Sequence, residues 1–191
     1  MKLTRQRKTQ ETEVQITLHD DLTQANQIAT GIPYFDHCLD LFAFHAGLRL
    51  SIQASGDTEV DDHHTVEDVG IVLGELFLEA FNDKQGRARY GLAIIPMDEA
   101  LARVVIDLSN RPRLSFNAKF SREMIGDLAT ENVEEFFLAF TSDARVTCHV
   151  DLIRGTNAHH QVEAIFKALG RSFKEAIKMV GDALPSTKGQ L

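Results

Sequence analysis

His63-His64-Thr65-Val66-Glu67 recurs in outline 96 positions later as His159-His160-Gln161-Val162-Glu163, in a chain of 191 residues with only eight histidines. On a helix, a glutamate three residues after one histidine and four after its neighbour lies over the same turn, so imidazole nitrogens and a carboxylate can converge on a cation. One copy alone also reads as a helix start whose glutamate supports the cap and whose histidines are solvated. Two copies at half-length spacing favour two related metal sites. Neighbouring positions on a helix diverge by roughly 100°, so one histidine of a pair can face a metal within the subunit while the other faces a metal shared with the other half or with another chain. Imidazole plus carboxylate without a thiolate set suits manganese, iron, zinc or nickel. Cys38 and Cys148 are poorly placed to join, and each reads as a core thiol in a reducing compartment.

The elements that must position these groups also repeat. Glu13 to Leu18 alternates like a half-buried strand. After the turn signals of Thr30-Gly31-Ile32-Pro33, the spacing of Leu39, Leu41, Phe42 and Phe44 predicts a helix from about Asp36 to His45, stopped at Ala46-Gly47. Leu48, Leu50, Ile52 and Ala54 alternate as a strand, Asp57 to Asp62 is an acidic loop, and a long helix with one apolar stripe starts at about Thr65. In the second half, Leu101 to Leu108 and Leu114 to Phe116 read as strands around Asn110-Arg111-Pro112. A helix from about Glu131 to Phe140, a strand through Val146, Cys148, Val150 and Leu152, and a helix from about His160 to Met179 follow. Allowing for a loop two residues shorter before the second His-His pair, Phe42 falls on Phe140, Leu48 on Val146, Leu50 on Cys148 and His37 on Glu135. The last equivalence joins two side chains that both bind metals. The expected architecture is α+β: a tandem duplication of a strands-helix-strand-helix unit, divided as residues 1–92 and 93–191, forming one compact domain with helices beside or between antiparallel sheets.

Bulk composition excludes several classes. The hydrophobic content of 43% and charged content of 25% are those of a globular chain long enough for one sizeable core. A net charge of −8, with no basic run beyond Lys2 to Lys8, gives no electrostatic footprint for nucleic acid, and that short basic start reads as a solvated terminus. No apolar run approaches a membrane span and no secretory leader follows the polar start, so a cytoplasmic location is expected.

Taken in order, Phe35-Asp36-His37-Cys38-Leu39, Asp61-Asp62-His63-His64-Thr65-Val66-Glu67-Asp68, Pro96-Met97-Asp98-Glu99-Ala100-Leu101, Asp107-Leu108-Ser109-Asn110-Arg111-Pro112, His159-His160 through Phe166-Lys167-Ala168, and Leu184-Pro185-Ser186-Thr187-Lys188-Gly189 resemble imidazoleglycerol-phosphate dehydratase. The likeness runs from about Arg7 to Leu191 with few length changes. It implies two four-stranded sheets with helices packed between them, and the dehydration of imidazole glycerol phosphate to imidazole acetol phosphate in histidine biosynthesis. It further implies manganese, two ions per subunit, in a homo-oligomeric 24-mer whose active sites lie between subunits. By position, the family's metal ligands fall on His37, His63, His64, Glu67, His159, His160 and Glu163, with Glu135 standing where a histidine is usual. The resemblance places Glu11 in the pocket as the first candidate for moving protons, with Glu67 and Glu163 as further catalytic carboxylates. It gives the substrate contacts as His37, His45, His63 and Glu67, and the phosphate contacts as Arg89, Arg111, Ser186 and Lys188, with Thr187 assisting.

Two departures are Pro33-Tyr34 and Asn110, the latter in place of glycine; asparagine tolerates the left-handed backbone that glycine supplies. Each assignment has a plainer counterpart. Glu11 also reads as a solvated residue at a strand start, either arginine as an ion-pair partner, and His45 as a residue ending a helix against its dipole. Asp98 and Glu99 have open roles, and His19 and His149 read as structural. A dinuclear hydrolase, and a scaffold in which metals only join subunits, are the two rival functions.

Overall fold

The computed structural model describes residues 2–19, 21 and 23–189; Met1, Asp20, Leu22, Gln190 and Leu191, and with them the outer ends of the two half-repeats, lie outside the described residues. Alternating sequence sets the inner face of each sheet. Strand β2 (Thr12–His19) turns Val14, Ile16 and Leu18 inward, and β4 (Arg49–Gly56) turns Leu50, Ile52 and Ala54 inward. With β1 (Lys2–Lys8) antiparallel on β2 and β3 (Gln27–Ala29) parallel on β4, they form a sheet of order β1-β2-β4-β3. The second half builds the same sheet from β5 (Tyr90–Met97), β6 (Ala100–Asp107), β7 (Arg113–Asn117) and β10 (Thr147–Arg154), in the order β5-β6-β10-β7 and again with one parallel edge. A small hairpin, β8 (Met124–Ile125) and β9 (Leu128–Ala129), completes the strands.

Four helices connect and cover the sheets: α1 (Pro33–Ala46), α2 (His63–Phe81), α3 (Glu131–Asp143) and α4 (Ala158–Ala176). Helix α1 starts on Pro33, whose missing N–H costs nothing in a first turn, and stops at Gly47, whose φ of 70° lets its N–H reach Ala43 and Phe44 carbonyls. The helices pair across the repeat: α1 of the first half lies along α4 of the second, and α3 of the second along α2 of the first. Gly74 and Gly170, equivalent and 96 residues apart, permit both close approaches. A Cβ on Gly74 would stand 2.8 Å from the Phe140 carbonyl oxygen, and one on Gly170 would stand 2.5 Å from that of Phe42. Around these crossings the paired rings Phe42 and Phe140, Phe77 and Phe173 interlock, with centroids 4.7 Å apart for Phe77–Phe173 and 5.5 Å for Phe77–Phe140. The architecture is thus the duplicated α+β unit expected.

Several boundaries differ from the sequence reading. Lys2–Lys8 is an edge strand rather than a solvated terminus: only Leu3 turns partly inward, while Arg5 and Arg7 reach Glu79 and Asp68 on α2. Charged side chains on an edge strand are compatible with pairing on its other side and discourage further pairing. Strands β3 and β5 had no clear alternation, and β5 straddles the 92/93 division. Helix α2 begins at His63, two residues before Thr65, and α4 ends at Ala176, after which Met179 bridges to Arg87.

Candidate metal centre

Helix α4 carries His159 and Glu163 one turn apart, and α1 lays His37 against them. Both imidazoles converge on one carboxylate oxygen: His37 Nε2 is 2.9 Å and His159 Nε2 2.8 Å from Glu163 Oε1. Lys167, a further turn along α4, donates to the other oxygen at 2.6 Å and lies 3.1 Å from Met97 Sδ. Glu163 is buried while both histidines reach solvent. Burial works to raise the Glu163 pKa, but the hydrogen bonds from Lys167, His37 and His159 outweigh it and hold the group at about 2. Tyr34 packs on the His159 ring at 4.8 Å and donates to the His159 carbonyl at 2.9 Å, fixing the start of α4 against α1.

Among the described residues this is the one group of three His, Cys, Asp or Glu side chains whose donor atoms lie within 4.8 Å of one another. Two imidazole nitrogens directed at a single carboxylate oxygen, on the open side of a buried anion, fit a divalent cation of the kind that takes mixed nitrogen and oxygen ligands. Each half of the chain contributes, His37 from the first and His159 with Glu163 from the second.

The repeat counterpart, His63 and Glu67 on α2 with Glu135 on α3, is not drawn together in the same way. His63 Nδ1 lies 3.1 Å from Asn132 Oδ1, and Asn132 occupies the place of Tyr34 in the repeat. The side chains of Glu67 and Glu135 make no hydrogen bond or ion pair among the described residues and are half-buried.

The second histidine of each pair turns away, its ring nearly perpendicular to the first, with interplanar angles of 80° and 88°. His64 Nδ1 faces Asp57 at 3.1 Å and Glu11 at 3.9 Å. His160 Nδ1 faces Glu99 at 2.7 Å, and its Nε2 faces Asp98 at 3.6 Å. Asp57 raises the His64 pKa and Glu99 that of His160, each chiefly through the hydrogen bond. Glu99 is itself held well below the usual carboxylate range, first by the Asn157 backbone N–H and then by His160 and the Thr156 N–H.

The residues assigned to phosphate gather elsewhere. Arg89, with φ 71°, forks onto Asp107 at 2.7 and 3.3 Å and donates to the Pro185 carbonyl at 2.8 Å, tying the tail beside Ser186 to the sheet. Arg111 is exposed and 4.0 Å from the same Asp107. Thr187 and Lys188 are exposed, and the Lys188 N–H donates to Ser186 Oγ at 3.3 Å. Asn110, immediately before Arg111, takes φ 55°, the left-handed backbone expected of it. The Arg89 N–H bonds the Ala176 carbonyl at the far end of α4. From Ala176 back to His159 the helix rises roughly 26 Å at 1.5 Å per residue, so the two groups occupy opposite ends of the molecule.

His45 lies in the last turn of α1, half-buried; burial, then Lys167 and Arg171, lower its pKa. A neutral ring answers the helix dipole poorly, which weakens that reading. His19 binds Ser51 at 2.9 Å and His149 is exposed on β10. Sequence reasoning missed Tyr34, Asp57, Asn132 and Lys167. Lys167 alone had a usable signal, four residues after Glu163 on the same helix face.

Fold and site define a class: a duplicated α+β protein whose two halves together build an imidazole–carboxylate cluster that could hold a metal ion. The family model for imidazoleglycerol-phosphate dehydratase matches residues 30–173. The imidazoleglycerol-phosphate dehydratase of Staphylococcus carnosus is 56% identical over 190 residues, 99% of this chain and 98% of that protein. That of Staphylococcus aureus strain JH9 is 53% identical over 186 residues, 97% of this chain and 96% of that one. The crystal structure of the Staphylococcus aureus N315 enzyme superposes with a TM-score of 0.85 at 50% identity, covering 94% of this chain and 99% of its own. The Pyrococcus furiosus enzyme in complex with (S)-C348 gives 0.86 at 36% identity, covering 98% and 100%. The chain belongs to the imidazoleglycerol-phosphate dehydratase family.

Proposed function

We propose that the chain catalyses the loss of water from imidazole glycerol phosphate to give imidazole acetol phosphate in histidine biosynthesis, as a cytoplasmic homo-oligomer of 24 subunits with two manganese ions per subunit. No helix among the described residues is long and apolar enough to cross a membrane. The observation that carries the reading is the convergence of His37 and His159 on Glu163, in a chain of this family.

His37, His159 and Glu163 would hold one ion; His63, Glu67 and Glu135 are their repeat counterparts, with His64 and His160 as ligands turned outward. When bound, such a cation draws electron density from the imidazole ring, eases loss of the ring N–H and so favours departure of the hydroxyl on the attached carbon. The protein's own groups do the rest. Glu11, at the β1–β2 turn beside His64 and mostly exposed, takes the proton from the next carbon along the side chain. The hydroxyl takes up that proton from Glu11 and departs as water, and the enol left behind becomes the ketone as it gives up its O–H proton and one is added to the ring-bearing carbon. Arg111 offers forked donors to the phosphate and Arg89, whose fork Asp107 holds, its remaining N–H groups, joined by Ser186 and Lys188 of the tail.

Ring and phosphorus are separated by three carbons and an ester oxygen, five bonds and so at most roughly 7.5 Å at about 1.5 Å per bond. That is far short of the span between the metal end and the arginine end of one chain. That mismatch supports a site in which metal groups of one subunit meet the phosphate groups of another, as the family resemblance implies.

The test is turnover of imidazole glycerol phosphate to a product whose enol absorbs in alkali, lost on chelation and restored by manganese. Release of inorganic phosphate instead supports a hydrolase, and no reaction with metal bound supports a scaffold.

A further inference from the structure

The turns β1–β2 and β5–β6 are repeat counterparts, and each places a glutamate immediately before the inner strand: Glu11 before Thr12 and, 88 residues later, Glu99 before Ala100. Both lie beside the second histidine of a pair, yet the two are held differently. Glu99 Oε2 takes His160 Nδ1 at 2.7 Å while its Oε1 takes the backbone N–H groups of Asn157 and Thr156 at 2.7 and 3.0 Å. The carboxylate is thus pinned from both sides at the entrance of α4. Glu11 stands 3.9 Å from His64, its side chain 57% exposed, because Asp57 already occupies His64 Nδ1.

The difference follows from one position in the loop after the central strand. Asp57 follows Gly56 at the end of β4, and the residue at the same place after β10 is Gly155. With φ 147°, a Cβ there would stand 2.9 Å from both Ala100 Cβ and Gln161 Cγ, so no acidic arm can grow from that position. In the second half the hairpin glutamate is the carboxylate that reaches the ring.

We propose that Glu99 is a positioning residue, holding His160 by its Nδ1 hydrogen so that Nε2 presents its lone pair to a cation, the duty Asp57 performs for His64, and that this division leaves Glu11 unheld for proton transfer. A carboxylate offers only acceptors, so the ring nitrogen hydrogen-bonded to Glu99 carries the hydrogen; Nε2 stands 3.6 Å from Asp98, beyond hydrogen-bond distance, and keeps its lone pair. Metal-bound histidines are commonly oriented by such a partner, whose loss weakens metal binding roughly 10- to 100-fold. The proposal rests on the reading of His64 and His160 as metal ligands.

Manganese(II) affinity, measured by chelator competition together with metal content per chain, is compared in the wild type, Glu99→Gln, Asp57→Asn, Glu11→Gln and His160→Ala. Glu99→Gln and Asp57→Asn are expected to bind manganese roughly 10- to 100-fold more weakly with unchanged circular dichroism, whereas Glu11→Gln keeps wild-type affinity and loses turnover. Wild-type affinity in Glu99→Gln alongside loss in His160→Ala overturns the proposal and leaves the ligand reading intact. Undiminished metal binding in His160→Ala overturns the ligand reading and the proposal with it. Nitrogen-15 spectra of the metal-free wild type need no variant to fold: His160, identified by its absence from His160→Ala, is expected as the Nδ1–H tautomer, and the Nε2–H tautomer overturns the assignment.

Discussion

Glu163 keeps its charge against burial only because three donors surround it. Its pKa in the fold, about 2, lies below the ordinary 4.5, so the stability it contributes is fully present above pH 4.5 and is lost as pH falls towards 2. In metal-free protein, Glu163→Gln should cost ~2 kcal/mol at neutral pH and flatten the decline of the unfolding midpoint over that acid window. Melts at pH 7, 4 and 3 check this; an unaltered acid slope in the variant would contradict it. With manganese present, Glu163→Gln and its repeat counterpart Glu67→Gln are each expected to lose metal and turnover together, read by metal content and the enol assay. Normal metal content with full activity in either would refute that residue's assignment. The residue types were legible in the sequence because imidazoles and carboxylates at helical spacing are rare in a chain with eight histidines. Which histidine of a pair meets Glu163 was not legible, since that depends on where α1 packs.

Helix pairing decides it, and pairing across the repeat turns on two glycines. Gly170→Ala would ordinarily gain about 1 kcal/mol of helix propensity, but here the new methyl meets the Phe42 carbonyl and the start of Ala46. Overpacking of this kind costs about 1–3 kcal/mol, so the net expectation is a lower melting temperature. Displacement of α1 from α4 should also weaken manganese binding at His37, checked by the same chelator competition; a raised melting temperature with unchanged metal affinity would rule out close packing as the glycine's role. Helical and inner-strand periodicity made α1 to α4, β2, β4, β6 and β10 readable before any coordinates. Of the edge strands, β7 was legible through Leu114 and Phe116, whereas β1 and β3 escaped for a physical reason: β1 buries little beyond Leu3, and β3 has three residues with only Ile28 turned inward. Such strands are held by backbone pairing, which leaves no alternation to read.

At the scale of the whole molecule, the separation of metal end from arginine end makes a prediction that no single-chain site would share. On the proposed assignments Glu11→Gln removes the proton-transfer group and Arg111→Ala the exposed phosphate donor, and each alone should be nearly inactive. The two variants can be dissociated together by chelation and reassembled with manganese. A site then works when its metal end comes from the arginine variant and its phosphate end from the glutamate variant. Random assembly gives each condition half the time, so mixed particles should regain about a quarter of wild-type turnover. Separately reassembled variants, mixed afterwards without exchange, should regain none. Recovery absent from co-assembled particles of normal mass would mean that Glu11 and Arg111 serve the same substrate from one chain, against the roughly 26 Å that α4 sets between the two ends.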